Sequence, residues 1–415
     1  MRRLWPFTVR GTGALALALG CFILAAELGV IELVYFGVLL LAVLVASLIS
    51  LHLAHRTENV TRALEPDVVA VDQDAVVTVR VGVRTAMPSA PGAWRDALPR
   101  GLSGRAQGIF PALGSGLRSG DRSVDLVYTV TGVRRGIHSI GPLSVTSSDP
   151  FGLTRRQNLL GDRTRVVVVP AVTELTALSA VAGDTGGTQH STTNQLGQGA
   201  DNLIARPYSP GDSMRRIHWR ATAHADSLMV RQEEQESTPE ATVVLDRGAL
   251  RWATDAMIAP GNDPGFERAV SACVSVVSRL VQDGYAVEVI DSDGTSLSEP
   301  IDGGESVQVE ELTRQLATIT SRRDDHLPRL PHLFTGATAG PVIVITGRFD
   351  REDAAALAPL AHHTTYPLLL AVSPSDGGLE RAAEVGWRAA AIGLDDDFAS
   401  TWSMAVDRGV GHVVA

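Results

Sequence analysis

The densest group of charged and aromatic side chains lies in residues 205–236, ARPYSPGDSMRRIHWRATAHADSLMVRQEEQE. A Pro-Gly-Asp turn signal stands near its start, and Asp212 is suited to cap a helix over residues 213–222. On that helix Arg216 and Arg220 are four residues apart and therefore share a face. The segment predicts a cationic helical face of the kind that contacts a partner.

Trp219 lies beside this face, and its setting decides what the segment does. An exposed tryptophan flanked by arginines is typical of protein interfaces. A tryptophan packed in the core, with the arginines and Asp212 in a buried network, would be structural instead. The sequence leaves both interpretations open.

Carboxylates form the second candidate group. Asp246 ends the apolar segment ATVVLD and Asp291 ends YAVEVID, and both segments have the pattern of buried strands. Parallel strands place their carboxyl ends at one edge of a sheet, where α/β proteins bind ligands. A hydrolase or metal-dependent enzyme with a site around Asp246 and Asp291 is therefore one hypothesis for the function.

Composition excludes several classes of mechanism. All 36 basic residues are arginine, so the chain contains no lysine. A Walker-type phosphate loop, a protein kinase and Schiff-base chemistry each require one. The first 231 residues carry 23 arginines against 17 acids, and residues 232–415 carry 13 against 29. Nothing in this pattern indicates a nucleic-acid partner, and we expect no cofactor.

Two apolar segments near the N-terminus predict a membrane anchor. Residues 11–28 and 33–53 each have about the length of a spanning helix, and Glu27 and Glu32 frame the short tip between them. Arginines flank the outer ends of the pair, at Arg2, Arg3, Arg10, Arg56 and Arg62. The positive-inside rule then predicts a two-pass protein of the cell membrane, in contact with the lipid bilayer, with both termini and the soluble domains in the cytoplasm.

A secretory signal peptide is the competing interpretation of the first apolar segment. It is disfavoured because no small-x-small cleavage site follows and a second apolar segment comes immediately afterwards.

Beyond the anchor, the spacing of apolar residues indicates two kinds of domain. Residues 52–63 have the pattern of a short juxtamembrane helix, and the β-branched segments that follow are typical of a β-sandwich. From residue 241, apolar strands alternate with amphipathic helices, which predicts a doubly wound parallel α/β sheet. The predicted fold class is α+β multi-domain, with a hairpin at 1–54, a β-sandwich at 64–170, a linker at 171–204, a signature motif at 205–236 and an α/β domain at 237–415.

Two longer motifs stand out. The first has the form R-x-Y-x-P-G-D-x-x-R-x-I-x-W-x-x-x-A and begins at Arg206, and the second is RRGIHSIGPLSVTSSDPFGL at residues 134–153. Both are similar to motifs of the bacterial family known as domain of unknown function 58, and the resemblance covers the whole chain. It identifies a predicted interaction motif of Arg206, Tyr208, Gly211, Asp212, Arg216, Trp219 and Arg220.

The resemblance implies a fold and partners. The α/β domain would be von Willebrand factor A-like, and the partners would be a MoxR-type AAA+ ATPase and a membrane protein with a transglutaminase-like domain, because genes of the family commonly lie beside genes for both. The fold alone does not give the function.

The metal site of A-type domains is degenerate in this sequence. Such sites use Asp-x-Ser-x-Ser after the first strand, whereas Gly248 and Leu250 replace both serines here. Gly347 stands where a later acid is expected, so only Asp246 is retained. One carboxylate makes a poor magnesium site. Together with the missing lysine and the lack of a recognisable catalytic triad, this favours a membrane-tethered cytoplasmic scaffold or adaptor over the enzyme.

Overall fold

The chain forms two compact units. The computed structural model describes residues 5–53, 56–84, 90–112, 122–178, 203–208, 214, 217–225, 227–233, 238–335, 339–375, 377–407 and 413–414. The first unit comprises Met1–Val172, Trp252–Ser271 and Glu311–Arg323, and the second comprises Thr173–Arg251, Ala272–Glu310 and Asp324–Ala415.

Two apolar helices open the first unit, α1 (Val9–Leu28) and α2 (Ile31–Leu53). The side chain of Thr8 caps α1 by accepting a hydrogen bond from the Gly11 N–H. Gly29 ends α1 with a φ of 64°, in the left-handed region that glycine adopts without steric cost. Both helices are long and apolar enough to cross a membrane, which is compatible with the predicted hairpin.

The rest of the first unit is built mainly from short strands. They are β1 (Arg56–Glu65), β2 (Val68–Ala70), β3 (Asp74–Arg84), β4 (Gly92–Asp96), β5 (Leu102–Gly104), β6 (Gln107–Phe110), β7 (Arg122–Gly132), β8 (Gly136–Ile140), β9 (Leu143–Ser148), β10 (Arg155–Leu160) and β11 (Thr164–Val169). Two four-stranded antiparallel sheets have the orders β1-β3-β7-β5 and β10-β9-β4-β6, and β2, β11 and β8 form a third sheet.

One apolar core joins these sheets in a sandwich-like arrangement. Val77, Val79 and Val81 alternate along β3 and are fully buried, as the period of two for a strand requires. Trp94 of β4 lies with its ring centroid 5.7 Å from that of Tyr128 of β7, so the two four-stranded sheets share this core.

The predicted juxtamembrane helix over residues 52–63 is wrong for most of its length. Helix α2 ends at Leu53, and β1 pairs with β3 from Arg56 opposite Arg84 to Glu65 opposite Val76, with one register shift between Thr57 and Asn59. Pairing with a neighbouring strand overrides the weak local helical pattern, because strand formation depends on tertiary context. Leu64 of β1 is buried in the core as a result.

Beyond residue 203 the chain alternates between strands and helices. The elements are β12 (Leu203–Pro207), α3 (Trp219–Ala225), β13 (Met229–Glu233), β14 (Glu240–Leu245), α4 (Asp255–Ile258), α5 (Pro264–Gln282), β15 (Ala286–Asp291), α6 (Ser306–Leu316), β16 (Ala339–Phe349), α7 (Arg351–His363), β17 (Thr364–Pro374), α8 (Gly378–Glu384), β18 (Arg388–Ala391), α9 (Phe398–Asp407) and β19 (Val413–Val414). The alternation of strands and helices predicted from residue 241 onward is present.

A six-stranded parallel sheet organises the second unit, in the order β15-β14-β16-β17-β18-β19. Its central strands are fully buried runs, as in Val342–Ile345 of β16, which is the pattern of a parallel sheet covered by helices. Leu357 and Leu360 of α7 pack in the same core cluster as Val342 and Val344. The predicted parallel α/β sheet is therefore confirmed.

Candidate functional site

Backbone pairing fixes part of the signature segment, which is the signature motif at residues 205–236. β12 and β13 are antiparallel, with Leu203 opposite Glu233 and Pro207 opposite Met229. Ile217 forms an isolated bridge with Val230, and both side chains are buried. The described part of the segment is thus a folded element whose backbone is fixed by strand pairing.

The predicted helix over residues 213–222 is wrong at its start. Ile217 is an extended, bridging residue, and α3 begins only at Trp219. His218 precedes the helix, and its Nδ1 accepts a hydrogen bond from the Ala221 N–H at 3.0 Å. The capping role predicted for Asp212 is filled here by His218, because a side-chain acceptor at this position satisfies an N–H of the first turn.

The residues of the predicted interaction motif differ in how far they are exposed. Trp219 is 70% exposed, which excludes the interpretation that it is core. Arg220 is also exposed, Tyr208 is half-buried, and Arg206 lies opposite Val230 in the strand pair. The remaining members of the motif, Gly211, Asp212 and Arg216, lie outside the described residues.

The carboxyl ends of three neighbouring strands meet around Asp246. This residue directly follows β14 and is fully buried, and its Oδ1 accepts hydrogen bonds from the Gly248 N–H at 3.0 Å and from Ser292 Oγ at 2.9 Å. Thr346 Oγ1, from β16, donates to Oδ2 at 2.9 Å. Asp291, at the end of β15, accepts a hydrogen bond from the Ser292 N–H at 2.7 Å. Asp246 and Asp291 therefore lie at one edge, as the sequence predicts.

This edge is also a topological switch point. β14 comes first in the chain of this sheet, β15 lies on one side of it, and β16 lies on the other. In open α/β sheets, ligands bind in the crevice formed where the strand order reverses in this way. The carboxylates stand at the position where an α/β protein would hold a ligand.

A guanidinium occupies the centre of the cluster. Arg251 Nη1 and Nη2 donate to Asp353 Oδ2 and Oδ1 at 2.5 Å and 2.8 Å, and Nη2 and Nε donate to Asp325 Oδ2 and Oδ1 at 2.9 Å and 3.2 Å. Its Nε lies 3.6 Å from Asp246 Oδ2. A second guanidinium, that of Arg247, lies 3.5 Å from Asp291 Oδ2. We name Asp246, Asp291, Asp325, Asp353, Arg247 and Arg251 the carboxyl-edge cluster.

The charges of this cluster partly offset one another, because two guanidinium groups lie among four carboxylates. Burial raises the pKa of Asp246 above its ordinary value, although hydrogen bonds from Gly248 and Thr346 and the attraction of Arg251 oppose that effect. Burial alone would lower the pKa of Arg251, but hydrogen bonding and attraction to Asp353 reverse this and hold the pKa above its ordinary range. Arg251 is therefore a permanent cation among three carboxylates.

The arrangement limits the chemistry of Asp246. Both of its oxygens accept hydrogen bonds and neither is exposed, so the carboxylate is not placed to take a proton from a substrate. Across the described ranges, no three His, Cys, Asp or Glu side chains are grouped to hold a metal ion. The positive charge that a divalent cation would bring to this edge is supplied by the guanidinium of Arg251.

Sequence reasoning identified Asp246 and Asp291 and missed Asp325, Asp353 and Arg251. Asp325 lies in a connecting segment, and Arg251 ends a short 3₁₀ turn. Asp353 belongs to the capping box that begins α7 at Asp350, so its sequence signal is that of a helix start. A second signal was present in Ser292, a hydroxyl residue that immediately follows the predicted strand YAVEVID.

Comparison with known proteins supports the family resemblance. A family model described as Protein of unknown function DUF58 matches residues 204–348, from β12 into β16. The match includes the Trp219 segment together with Asp246, Arg251, Asp291 and Asp325. No curated protein matches the chain.

Several solved structures are similar to a part of the chain. The CARDB domain of a Pyrococcus furiosus protein is 17% identical, with 28% of this chain and 94% of that chain covered and a TM-score of 0.19. A cohesin module from a Clostridium perfringens family 33 glycoside hydrolase is 14% identical, with 28% and 96% covered and a TM-score of 0.17. Domains 4 and 5 of the S-layer protein SbsC are 18% identical, with 28% and 53% covered and a TM-score of 0.14.

Proposed function

We propose that this protein is a membrane-tethered, non-enzymatic adaptor whose signature segment binds a partner protein through Trp219. The observation that carries the proposal is the 70% exposure of this side chain on a segment whose backbone is fixed by strand pairing. A tryptophan that packed for stability would be buried. Tryptophan and arginine are also the side chains that most often dominate binding at protein interfaces, and Arg220 follows directly.

Apolar exposure within the same segment supports this role. Met214 is 64% exposed and Leu228 is 41% exposed. A buried tryptophan contributes roughly 150–250 Å² of contact area, and burial of apolar surface is worth about 25 cal/mol per Å². Burial of Trp219 under a partner is therefore a substantial source of affinity, which Met214 and Leu228 would increase.

The carboxyl-edge cluster supports an adaptor over an enzyme. Its central cation is a protein side chain, and Asp246 is buried with both oxygens occupied. A hydrolase or metal-dependent enzyme is the second candidate, because Asp246 and Asp291 do meet at the switch point of the sheet. We also propose that the α/β domain is of the A type. The support is β14, the first strand of the sheet in the chain, which lies between β15 and β16 and is followed directly by the carboxylate of Asp246.

The proposed partner is a MoxR-type AAA+ ATPase, with a transglutaminase-like membrane protein in the same assembly. This assignment rests on the family resemblance. An adaptor without nucleotide chemistry of its own complements an ATPase, because the chain has no lysine for a phosphate loop. The arginine bias around the hairpin supports cytoplasmic placement of the soluble units, where such an ATPase works.

The binding test uses the full chain in nanodiscs and the purified MoxR-type ATPase from the same source. Trp219→Ala should weaken binding about tenfold or more, since truncation of a central interface tryptophan costs roughly 2 kcal/mol or more. Val307→Ala is the matched control, because Val307 is 69% exposed elsewhere in the second unit. Equal binding by both variants, with unchanged melting temperatures, would contradict the proposal.

The topology test uses cysteine labelling in intact cells. A cysteine at Ser191 should react with a membrane-impermeant maleimide only after lysis, whereas a cysteine at Val30, in the hairpin tip, should react before it. The reverse order of labelling would place the soluble units outside the cytoplasm.

A further inference from the structure

A tight turn after β9 is fixed by one buried carboxylate. Asp149 is 1% exposed, its Oδ2 accepts a hydrogen bond from the Phe151 N–H at 2.9 Å, and its Oδ1 accepts one from the Thr154 N–H at 2.6 Å. Gly152 adopts a φ of 69°, which closes the turn. Phe151 is left pointing outward, with 62% of its surface exposed. The residues 149–153 are called the DPFGL turn below.

The DPFGL turn contacts the start of α1. Thr8 Oγ1 donates to Gly152 O at 2.6 Å, and the Thr8 N–H donates to Leu153 O at 2.9 Å. A side chain at Gly11 would collide with the chain here, because a Cβ on it would lie 2.0 Å from Leu153 O. The turn is therefore held against the first turn of the helix by both hydrogen bonds and close packing.

Thr154, the residue directly after the turn, is bonded to α2. Ser47 Oγ lies 3.1 Å from Thr154 Oγ1, and both side chains are fully buried. Ser47 stands six residues before the end of α2 at Leu53, which is about 9 Å along the helix axis. The DPFGL turn thus lies at the level where one apolar helix begins and just inside the end of the other.

That level corresponds to a membrane surface if the helices span a bilayer. The 20 residues of α1 extend about 30 Å, the thickness of a hydrocarbon core, so its first turn lies at the interface with the headgroups. Trp5 is 52% exposed immediately before this helix. Aromatic side chains concentrate at membrane interfaces because the ring is apolar while the surroundings are polar. Phe151 and Trp5 are therefore placed where such side chains are stabilised.

Cations surround this position. Arg10 is exposed in the first turn of α1, and Arg155 and Arg156 are exposed at the start of β10, directly after the turn. The Arg155 N–H donates to Pro6 O at 2.8 Å, so the start of β10 is fixed beside the helix start. Arginines near an anionic leaflet are attracted to its negative surface potential.

We propose that the DPFGL turn is a membrane-interface contact, in which Phe151 enters the boundary between headgroups and acyl chains while Arg10, Arg155 and Arg156 bind the phosphates of anionic lipids. The inference rests on the membrane tether of the proposed function. It assigns to the second family-like motif the role of fixing the sandwich-like domain on the bilayer surface.

The test places an environment-sensitive nitrobenzoxadiazole label at Phe151→Cys of the full chain in nanodiscs. The native cysteines, Cys21 and Cys273, are buried, and labelling of the parent chain measures their background. We expect emission shifted to shorter wavelength and quenching by lipids that carry a nitroxide near the headgroup. Val133→Cys is the control, because Val133 is 46% exposed beyond the end of β7, about 30 Å along the sheet from the end of β1 that follows α2.

A third label at Leu39→Cys, exposed on α2 and read with lipids that carry the nitroxide deep on the acyl chain, separates the two ways to fail. Quenching at Leu39 without quenching at Phe151 would overturn the inference while the tether stands. No quenching at Leu39 would overturn the tether, and the inference with it.

Charge reversal tests the lipid preference. In nanodiscs that contain phosphatidylglycerol, Arg155→Glu with Arg156→Glu should remove the extra quenching at position 151 that this lipid gives over phosphatidylcholine. Arg100→Glu with Arg105→Glu is the matched control, because both arginines are exposed near β5, at the far end of the sheet. An equal loss in both pairs would show that only net charge matters and would overturn the assigned headgroup contact.

Discussion

The guanidinium of Arg251 and the carboxylate of Asp353 form a buried bidentate pair, with Nη1–Oδ2 and Nη2–Oδ1 distances of 2.5 Å and 2.8 Å. The geometry matches the planar fork of arginine to the two oxygens of the acid. Removal of the cation would leave the buried Asp353 and the half-buried Asp325 without their partner. Substitution of Arg251 therefore tests how much this pair stabilises the second unit.

Arg251→Ala should destabilise the protein by about 3–5 kcal/mol, because it strands buried carboxylates. The measurement is thermal or urea unfolding of the full chain in detergent. Arg381→Ala is the matched control, since Arg381 pairs with Glu384 at 2.8 Å but both side chains are largely exposed. Exposed pairs contribute about 0–1 kcal/mol, so equal losses in the two variants would contradict the assignment of Arg251 as the central cation.

The carboxyl-edge cluster should not bind a divalent ion tightly. An octahedral magnesium site needs several hard oxygens, and here the cation position among Asp246, Asp325 and Asp353 is held by Arg251. Calorimetric titration of Mg²⁺ and Mn²⁺ should give a dissociation constant of about millimolar or weaker. Micromolar binding that Asp246→Ala abolishes would refute this prediction and favour the metal-dependent enzyme.

Asp246 should give the protein a pH dependence of a particular sign. Its pKa is raised by burial, so the folded state keeps the proton to higher pH than the unfolded state does. The contribution of this group to stability is full below the unfolded pKa and is lost as pH rises through the folded pKa. The melting temperature of Asp246→Asn relative to the parent should therefore increase as pH rises above about 4, the ordinary pKa of an aspartate.

An opposite slope is expected from Asp125→Asn. A hydrogen bond from Arg80 lowers the pKa of Asp125, so its contribution is lost as pH falls. The same slope in both variants would show that the titration of Asp246 is not what the unfolding experiment reports.

Arg135 should be as important to the first unit as Arg251 is to the second. This fully buried residue of the second motif donates to both oxygens of Glu267 at 2.7 Å and to the carbonyls of Leu316 and Ile319. Arg135→Ala should cost about 3–5 kcal/mol in unfolding free energy. Arg135→Lys should recover only part of it, because an ammonium cannot reproduce the bidentate geometry. Full recovery would show that charge alone is required.

Arg220→Ala, unlike Arg135→Ala, should leave the stability of the protein nearly unchanged. Arg220 is exposed in the first turn of α3, so its removal should change the free energy of unfolding by no more than about 0.5 kcal/mol. If the adaptor proposal holds, binding to the ATPase should weaken. A large drop in melting temperature with proportional loss of binding would show that the motif is structural.

Much of the second unit could be predicted because its signals are local. Continuous apolar strands and amphipathic helices between residues 241 and 407 give the parallel sheet directly, and the sheet in turn brings Asp246 and Asp291 to one edge. The partners of Arg251 could not be predicted in the same way. Asp325 and Asp353 approach it from segments about 70 and 100 residues away, and no periodicity records such a meeting.

The errors in the sequence predictions have a common cause. Residues 56–63 and Ile217 carry weak helical patterns, and in both places a strand partner determines the conformation. The sequence could not decide whether Trp219 is exposed, for a related reason. Its residue type and spacing are the same for a core side chain and for an interface side chain, and only the position of the surrounding chain distinguishes them.

The connection between α1 and α2 consists of Gly29 and Val30, and this brevity bears on how the protein enters a membrane. In the proposed topology, the charged side chains that must cross the bilayer are those of Glu27 and Glu32, at the tip of the hairpin. No folded domain would have to be translocated. The two helices contact each other along the hairpin, and neither can reach the far side without carrying the other with it. Insertion is therefore expected to be a single concerted step for the pair, driven by apolar transfer.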